Sequence, residues 1–214
     1  MSAPVVCPLC AARPRMFGDA HGRSFLECDA CGLTFVDPAQ RPDPGTERAR
    51  YASHRNDPAD ERYRAFLSRL LDPLLARLSP GSEGLDYGSG PGPTLSVMLA
   101  EAGHPTAIYD PFFATDPRVL ARTYDFITCS ETAEHFFEPG VEFMRLDALL
   151  RPGGWLAVMT SLREDQPLEE WWYARDPTHV SLYRARTLEW IARRHGWTLE
   201  RAHPSVALFR KADT

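Results

Sequence analysis

The chain has 214 residues, of which 43% are hydrophobic and 25% charged, as in an ordinary globular protein rather than a disordered or fibrous one. Its net charge of −5 argues against broad attraction to nucleic acid or to an anionic membrane surface. No apolar stretch approaches the ~20 residues that cross a bilayer, and residues 1–6 lack the basic and apolar parts of a signal peptide. We therefore expect a cytoplasmic protein.

Two C-x-x-C pairs lie near the N-terminus, Cys7 with Cys10 and Cys28 with Cys31. Zinc prefers four soft ligands in a tetrahedron, and two such turns close the site without an open position for water. The pairs therefore predict a structural zinc ribbon over residues 1–37, because so short a segment rarely folds without a metal. The alternative is two redox dithiols, but an apolar, strand-like run follows the second pair, where a redox site would open a helix.

Residues 38–59 are rich in proline, and this composition predicts an irregular linker. Tyr51, His54 and Asn56 within it are candidates either for a lid over a ligand or for plain solvent exposure. From residue 60 to 78 the apolar side chains recur at helical spacing, so a helix should open the main domain, 60–214, with a kink or a new start at Pro73.

A glycine-rich turn follows a short apolar strand at residues 85–88 and precedes an apolar helix at 94–102. Gly88, Gly90 and Gly92 let the backbone approach a ligand that any Cβ would obstruct. A Walker loop would need a Gly-Lys-Ser/Thr ending, and a dinucleotide fingerprint would need glycine where Pro93 stands. The third interpretation is S-adenosylmethionine (SAM), whose ribose needs a carboxylate, and Asp110 ends the next predicted strand.

Four segments in order resemble the motifs of the class I SAM-dependent methyltransferases. Residues 86–92 resemble their first motif, Asp110 the ribose-binding acid of their second, 124–136 their fourth-strand segment ending in Glu-His, and 149–156 the turn into their fifth strand. The resemblance covers residues 84–211 and implies an α/β, Rossmann-like methyltransferase sheet with SAM as cofactor. The ribbon and the Asp-Pro-Thr-His run at 176–179 further resemble a bacterial branch similar to methyltransferases of sugars and other small metabolites.

The sequence departs from the family pattern in the middle of the domain. Only residues 111–123 separate the second strand from the fourth, so we expect an abbreviated sheet with 118–121 as a vestigial strand. The acid that commonly faces the adenine amino group has no counterpart, which leaves the adenine pocket unassigned. The fourth strand is not followed by the Asn/Asp-Pro-Pro-aromatic pattern used for planar amino groups, so methylation of adenine N6 or of a glutamine amide is disfavoured.

The candidate site residues follow from these motifs and from the rule that ligands bind beyond the carboxyl ends of parallel strands. The cofactor-binding candidates are Asp86, Gly88, Gly90, Gly92, Asp110, Ser130 and Glu131. The catalytic candidates are His135, His179 and Glu134, with His135 the leading base because histidine titrates near neutral pH. A capping or structural role for either histidine stays an open alternative.

The sequence thus predicts a zinc ribbon joined to a SAM-dependent methyltransferase that acts on an oxygen, carbon or nitrogen of a small molecule. Two rivals stay open. One is an RNA methyltransferase, which would need a basic face between ribbon and cofactor. The other is a non-catalytic module in which the ribbon docks a protein partner. The oligomeric state is not predicted.

Overall fold

The structure is a computed structural model that describes residues 4–53 and 56–214. Its strands are β1 (Arg15–Ala20), β2 (Arg23–Glu27), β3 (Thr34–Val36), β4 (Gly84–Tyr87), β5 (Thr106–Tyr109), β6 (Tyr124–Ser130), β7 (Leu150–Met159), β8 (Ser181–Leu182), β9 (Thr198–His203) and β10 (Val206–Arg210). Its α-helices are α1 (Pro44–Ala52), α2 (Glu61–Leu75), α3 (Thr94–Glu101), α4 (Pro139–Leu149) and α5 (Ala185–His195). None of the described helices is long and apolar enough to span a membrane.

The larger sheet has six strands in the order β5-β4-β6-β7-β10-β9. The four strands β5, β4, β6 and β7 run parallel, and β10 pairs antiparallel with both β7 and β9. Leucines of α2 and α3 pack on one face of this sheet, and apolar residues of α4 and α5 pack on the other. This is the Rossmann-like α/β architecture that the motifs predicted, with the carboxyl ends of β4, β5 and β6 at one edge.

The sheet is abbreviated between β5 and β6, as expected, but the predicted vestigial strand at 118–121 is wrong. Residues Pro117–Ala121 form a 3-10 helix instead. Pro117 has no backbone N–H to donate to a sheet, and the Asp116 carboxylate accepts the N–H of Arg118, which starts the tight turn. β5 is therefore an edge strand of the larger sheet.

The N-terminal region forms a second sheet in the order β1-β2-β3-β8. Its last strand, β8, comes from the chain between β7 and α5 and pairs antiparallel with β3. The side chains of Leu33 and Phe35 lie in the same buried cluster as Phe143 of α4 and Tyr183. The cysteine-rich segment therefore shares a buried core with the larger sheet and its helix α4.

A buried ion pair joins the N-terminal sheet to the chain that follows β7. Nη2 of Arg163 lies 2.7 Å from Oε1 of Glu27, and the two side chains are only 2% and 4% exposed. The charge of Glu27 also faces Arg184 and Arg186 at 3.8 and 3.6 Å. Because removing one partner of a buried pair costs about 3–5 kcal/mol, this contact fixes the N-terminal sheet against the chain that follows β7.

The proline-rich region at 38–59 is more ordered than its composition predicted. Pro44 occupies the first turn of α1, where a missing N–H costs nothing, and the Asp43 carboxylate accepts the N–H groups of Gly45 and Thr46. An irregular linker was thus the wrong expectation for Pro44–Ala52, because a proline that usually breaks a helix here begins one.

Candidate functional site

A cavity of about 600 Å³ lies at the carboxyl ends of β4, β5 and β6. The glycine turn and Asp110 line one side, and the segment after β6 lines another. α1 and the loop at residues 172–179 complete the wall. All seven predicted cofactor-binding residues and the three catalytic candidates line this one cavity; they are Asp86, Gly88, Gly90, Gly92, Asp110, Ser130, Glu131, Glu134, His135 and His179.

In the turn between β4 and α3, Gly90 is the glycine that leaves open space, whereas Gly88 and Gly92 are packed against neighbouring chain. Gly90 has φ +64°, and a Cβ built there would meet only Asn56 Nδ2 at 3.7 Å. A Cβ on Gly92 would lie 2.3 Å from the backbone oxygen of Asn56, so that position admits no larger residue without movement. The buried hydroxyl of Ser89 has no hydrogen-bond partner in the described part of the chain. The turn thus offers a cavity-lining polar atom that a ligand would satisfy.

Asp110 follows β5 and is held against the turn. Its Oδ2 accepts the N–H of Gly90 at 3.0 Å, and its Oδ1 accepts those of Phe112 and Phe113 at 2.8 and 3.1 Å. The residue is only 6% exposed. A carboxylate has about four acceptor positions, so Oδ2 keeps a lone pair for an incoming hydroxyl.

Asp86 lies beneath the turn on β4 and is 3% exposed. Its Oδ1 accepts the hydroxyl of Thr128 at 2.8 Å. Burial raises the pKa of Asp86 to about 6 from its ordinary 3.8, with a smaller opposing contribution from that hydrogen bond. The ionised carboxylate therefore places a negative charge at the cavity and lowers the stability of the ligand-free protein.

We expect Asp86→Asn to stabilise the ligand-free protein by about 2–3 kcal/mol at pH 8, since each pKa unit corresponds to ~1.4 kcal/mol. Because the pKa of Asp86 is higher in the folded protein than the ordinary 3.8, its ionised carboxylate lowers the free energy of unfolding at pH 8. This destabilisation decreases as the pH falls from about 6 toward 3.8, because the carboxylate becomes protonated in the folded protein. The gain should therefore nearly vanish at pH 4. Urea unfolding of both proteins at pH 8, 6 and 4 measures it, and an equal gain at all three values would contradict the buried charge as its cause.

The segment after β6 places two glutamates at the cavity. Glu131 has φ +48°, and its Oε2 accepts the hydroxyl of Tyr173 at 3.4 Å. Burial and the neighbouring charge of Glu134 raise the pKa of Glu131 to about 9. Glu134 is fully buried, and neither of its carboxylate oxygens has a hydrogen-bond partner among the described residues. A buried, unpartnered carboxylate is costly, so this position calls for a functional explanation.

The two candidate histidines lie side by side, with ring centroids 4.8 Å apart. Nδ1 of His135 lies 3.0 Å from the carbonyl oxygen of Thr178, and Nδ1 of His179 lies 2.7 Å from that of Tyr173. A carbonyl only accepts, so in the neutral form of either ring Nδ1 carries the proton and Nε2 keeps its lone pair. Burial lowers the pKa of His179, which favours this neutral form. Together with Glu134, the histidines place their ligand atoms within 4.8 Å of one another.

Helix α1 contributes to the cavity Arg50, which the sequence alone did not assign, and the lid candidate Tyr51. Nη2 of Arg50 donates to the carboxylate of Asp176 at 2.6 Å, and this pair ties α1 to the loop that carries His179. The ring of Tyr51 packs edge-on against His135, with centroids 5.0 Å apart. Of the three lid candidates, Tyr51 and Asn56 line the cavity, and His54 lies outside the described residues.

The four N-terminal cysteines converge on one point. The Sγ atoms of Cys7 and Cys31 are 3.6 Å apart, and those of Cys10 and Cys28 are 3.4 Å apart. A zinc tetrahedron with ~2.3 Å bonds has sulfur–sulfur edges of about 3.8 Å. The N–H of Gly32 donates to the carbonyl of Cys28, as the N–H of Ala11 does to that of Cys7, so both turns have the same form. The fifth cysteine, Cys129, is buried in β6, away from this cluster.

Comparison with known proteins identifies the fold. A family model described as a methyltransferase domain matches residues 59–202, and this range leaves out the four clustered cysteines. A crystal structure of 1,6-didemethyltoxoflavin-N1-methyltransferase from Burkholderia thailandensis, with 1,6-didemethyltoxoflavin and S-adenosylhomocysteine bound, is 18% identical at a TM-score of 0.55; the alignment covers 94% of this chain and 100% of that one. No curated protein matches the chain significantly.

Two further structures have the same fold. Magnesium protoporphyrin IX methyltransferase from Synechocystis PCC 6803, with bound SAM, is 14% identical at a TM-score of 0.51, over 79% of this chain and 92% of that one. An O-methyltransferase family protein from Burkholderia thailandensis is 15% identical at a TM-score of 0.52, over 82% and 65% of the two chains. The six-stranded sheet is accordingly a variant of the class I methyltransferase sheet.

Proposed function

The chain belongs to the methyltransferase-domain family and is a SAM-dependent methyltransferase with the class I fold; from this premise we propose that it methylates an oxygen, nitrogen or carbon atom of a small molecule. The observation that carries the proposal is a single cavity in which the glycine turn and Asp110 face the cluster of Glu134, His135 and His179. Cavities of about 300–1,000 Å³ suit small ligands, and this one measures about 600 Å³.

The donor side of the cavity fits the nucleoside of SAM. The Asp110 carboxylate, held beside the backbone of Gly90, accepts a ribose hydroxyl, and the unpartnered hydroxyl of Ser89 supplies a further polar contact. The negative charge of Asp86 lies beneath the turn and favours the positively charged cofactor. When bound, SAM supplies a methyl group on a positively charged sulfur, which a lone pair of the acceptor displaces in line.

The acceptor side is formed by the segment after β6 and by the loop at 172–179. His135 lines the cavity with Nε2 able to accept a proton, so it suits an acceptor that must lose one during methylation. The rings of Tyr51, Phe112 and Trp172 give this region apolar surface that excludes water around the reacting atoms. In this proposal the cavity residues orient the acceptor, and His135 takes up its proton. Alignment of the acceptor atom with the methyl group of SAM provides much of the rate acceleration.

We further propose that Cys7, Cys10, Cys28 and Cys31 hold a structural zinc ion. The sulfur spacing and the two matching turns support a tetrahedral site, and four thiolates leave no position for a substrate. The segment would then act as a scaffold. It would support the acceptor side through β8 and through contacts with the chain after β7.

The proposed function is tested by incubating the protein with methyl-labelled SAM and the small-molecule fraction of a cell extract. We expect the label to appear in one or few small products, and we expect S-adenosylhomocysteine to bind the protein one to one in calorimetry. Parallel incubations with total RNA and with the protein fraction are the controls. Label that enters only RNA or protein would contradict a small-molecule acceptor, although it would leave the enzyme class unchanged.

A further inference from the structure

Three side chains of the acceptor side form an arrangement that the methyl transfer itself does not require. Glu134 follows β6, at the start of a 3-10 helix, Ala133–His135. Its carboxylate is fully buried and lines the cavity; the Tyr173 hydroxyl lies near it, but no group within the described ranges 4–53 and 56–214 completes a well-formed hydrogen bond to it. An anion removed from water without a donor or a cation costs several kcal/mol, so the position favours a cation as its partner.

The neighbouring imidazoles are oriented as metal ligands are. Both Nδ1 atoms donate to backbone carbonyls, of Thr178 for His135 and of Tyr173 for His179. Metal-bound histidines characteristically donate their second N–H to such an acceptor, because this fixes the ring and the tautomer. In both rings Nε2 is thus the nitrogen left with a lone pair for a ligand.

The loop that carries His179 is rigidly supported. The buried guanidinium of Arg23 donates to four carbonyl oxygens of this loop, at 2.6–3.1 Å; they belong to Ala174, Asp176, Pro177 and His179. The backbone N–H of Val180 donates to the carbonyl of Glu134 at 2.9 Å and joins the loop to the segment after β6. The three candidate ligands therefore sit on backbone that is fixed before any ion binds.

We propose that Glu134, His135 and His179 bind one divalent transition-metal ion inside the catalytic cavity, separate from the cysteine cluster. Their ligand atoms lie within 4.8 Å of one another. Bonds of ~2.0–2.2 Å in a tetrahedral site put ligand atoms about 3.4 Å apart, so the ion would draw the most distant pair together by about 1.4 Å through side-chain rotation. Two nitrogens and one carboxylate oxygen suit zinc, cobalt, iron or manganese, whereas calcium and magnesium prefer oxygen ligands alone.

A site with three protein ligands has coordination positions left for the acceptor. If the cavity also holds SAM, as in the proposed function, the ion would select acceptors with two adjacent oxygen donors, such as a diol or a hydroxy acid. It would also lower the pKa of a bound hydroxyl, whose proton would then pass to water, so that no histidine base would be needed. The acceptor class thus rests on the proposed function, whereas the metal site itself does not.

Cobalt binding tests the site. Protein that retains its thiolate-bound zinc is first dialysed against a mild chelator and then titrated with Co²⁺, by calorimetry and by absorption. We expect one Co²⁺ per chain, with weak visible bands and without the sulfur-to-cobalt charge-transfer absorption of a thiolate site. Glu134→Gln and His179→Gln should each weaken this binding at least 100-fold. Glu142→Gln is the matched control, because this cavity glutamate already has Tyr87 and Arg145 as partners.

Titration of the same proteins with S-adenosylhomocysteine separates the two proposals. Retained binding by Glu134→Gln and His179→Gln would show that their cavity is folded and that the loss of Co²⁺ is local. Wild-type protein that takes up no Co²⁺, or variants that bind it as wild type does, would overturn the metal site and leave the proposed function intact. Wild-type protein that binds Co²⁺ but not S-adenosylhomocysteine would support the metal site and contradict the proposed cofactor side.

Discussion

Replacing Asp110 with alanine is expected to weaken the binding of S-adenosylhomocysteine by about 100-fold or more. A hydrogen bond to a charged group contributes ~1.5–3 kcal/mol, and the variant loses both the ribose contact and the carboxylate that holds the N–H of Gly90. A total of about 3 kcal/mol corresponds to that factor, since ~1.4 kcal/mol is tenfold. Calorimetric titration of wild type and variant measures the change.

Asp116 provides a matched control for this experiment. It lies on the same connection between β5 and β6, and its carboxylate accepts from the exposed Arg118 instead of from the glycine turn. Asp116→Ala should leave the affinity for S-adenosylhomocysteine within about threefold of wild type, as is usual for an exposed ion pair. If Asp110→Ala bound as well as Asp116→Ala does, the assignment of Asp110 to the cofactor would be refuted.

The parts of the fold that the sequence predicted well are those governed by local rules. A helix was expected from residue 60 to 78, and α2 is found at Glu61–Leu75, where the Asp60 carboxylate accepts the N–H groups of the first turn. The glycine turn and Asp110 were recognised because a tight turn and a strand-ending acid occur at fixed spacing. Both signals lie within a few residues of the structure that they specify.

The features that sequence reasoning missed depend on contacts between distant segments. Arg50 of α1 pairs with Asp176, and Arg23 of β2 donates to the carbonyls of the same loop; no local pattern links these positions. The pairing of β8 with β3 could not be predicted either, because a strand of two residues is too short to show the alternation of apolar and polar side chains. Glu134, His135 and His179 were predicted as catalytic residues, but their approach to a common point emerges only from the fold.

These long-range contacts connect the cysteine cluster to the acceptor side. β2, which carries Arg23, immediately precedes Cys28, and β3 follows Cys31 and pairs with β8. The Arg23 guanidinium in turn holds the loop that ends at His179. Disorder of the N-terminal sheet would therefore disturb the acceptor side first, since Asp110 and the glycine turn rest on β4 and β5 of the other sheet.

Cys31→Ser is accordingly expected to remove the proposed zinc and to lower the free energy of unfolding by at least about 3 kcal/mol, because structural zinc binding contributes directly to folding. For a chain of this size that corresponds to a decrease in Tm of roughly 10 °C. Metal analysis of the purified proteins and thermal unfolding measure both effects. Cys129→Ala is the control, since this buried cysteine of β6 lies outside the cluster and should leave the zinc content unchanged.

The contacts between the N-terminal sheet and the acceptor side also predict that loss of zinc lowers turnover before it lowers the affinity for the cofactor product. Turnover of the acceptor should fall at least tenfold in Cys31→Ser, whereas the affinity for S-adenosylhomocysteine should change by less than threefold, because the hydrogen bonds of Arg23 and the pairing of β3 with β8 go to the acceptor side. If the variant does not fold, gradual removal of zinc from wild-type protein with a chelator gives the same comparison. Wild-type protein without stoichiometric zinc would overturn the zinc site. An equal loss of turnover and of S-adenosylhomocysteine affinity would contradict the link between the cysteine cluster and the acceptor side, since the cluster would then support both sides of the cavity alike.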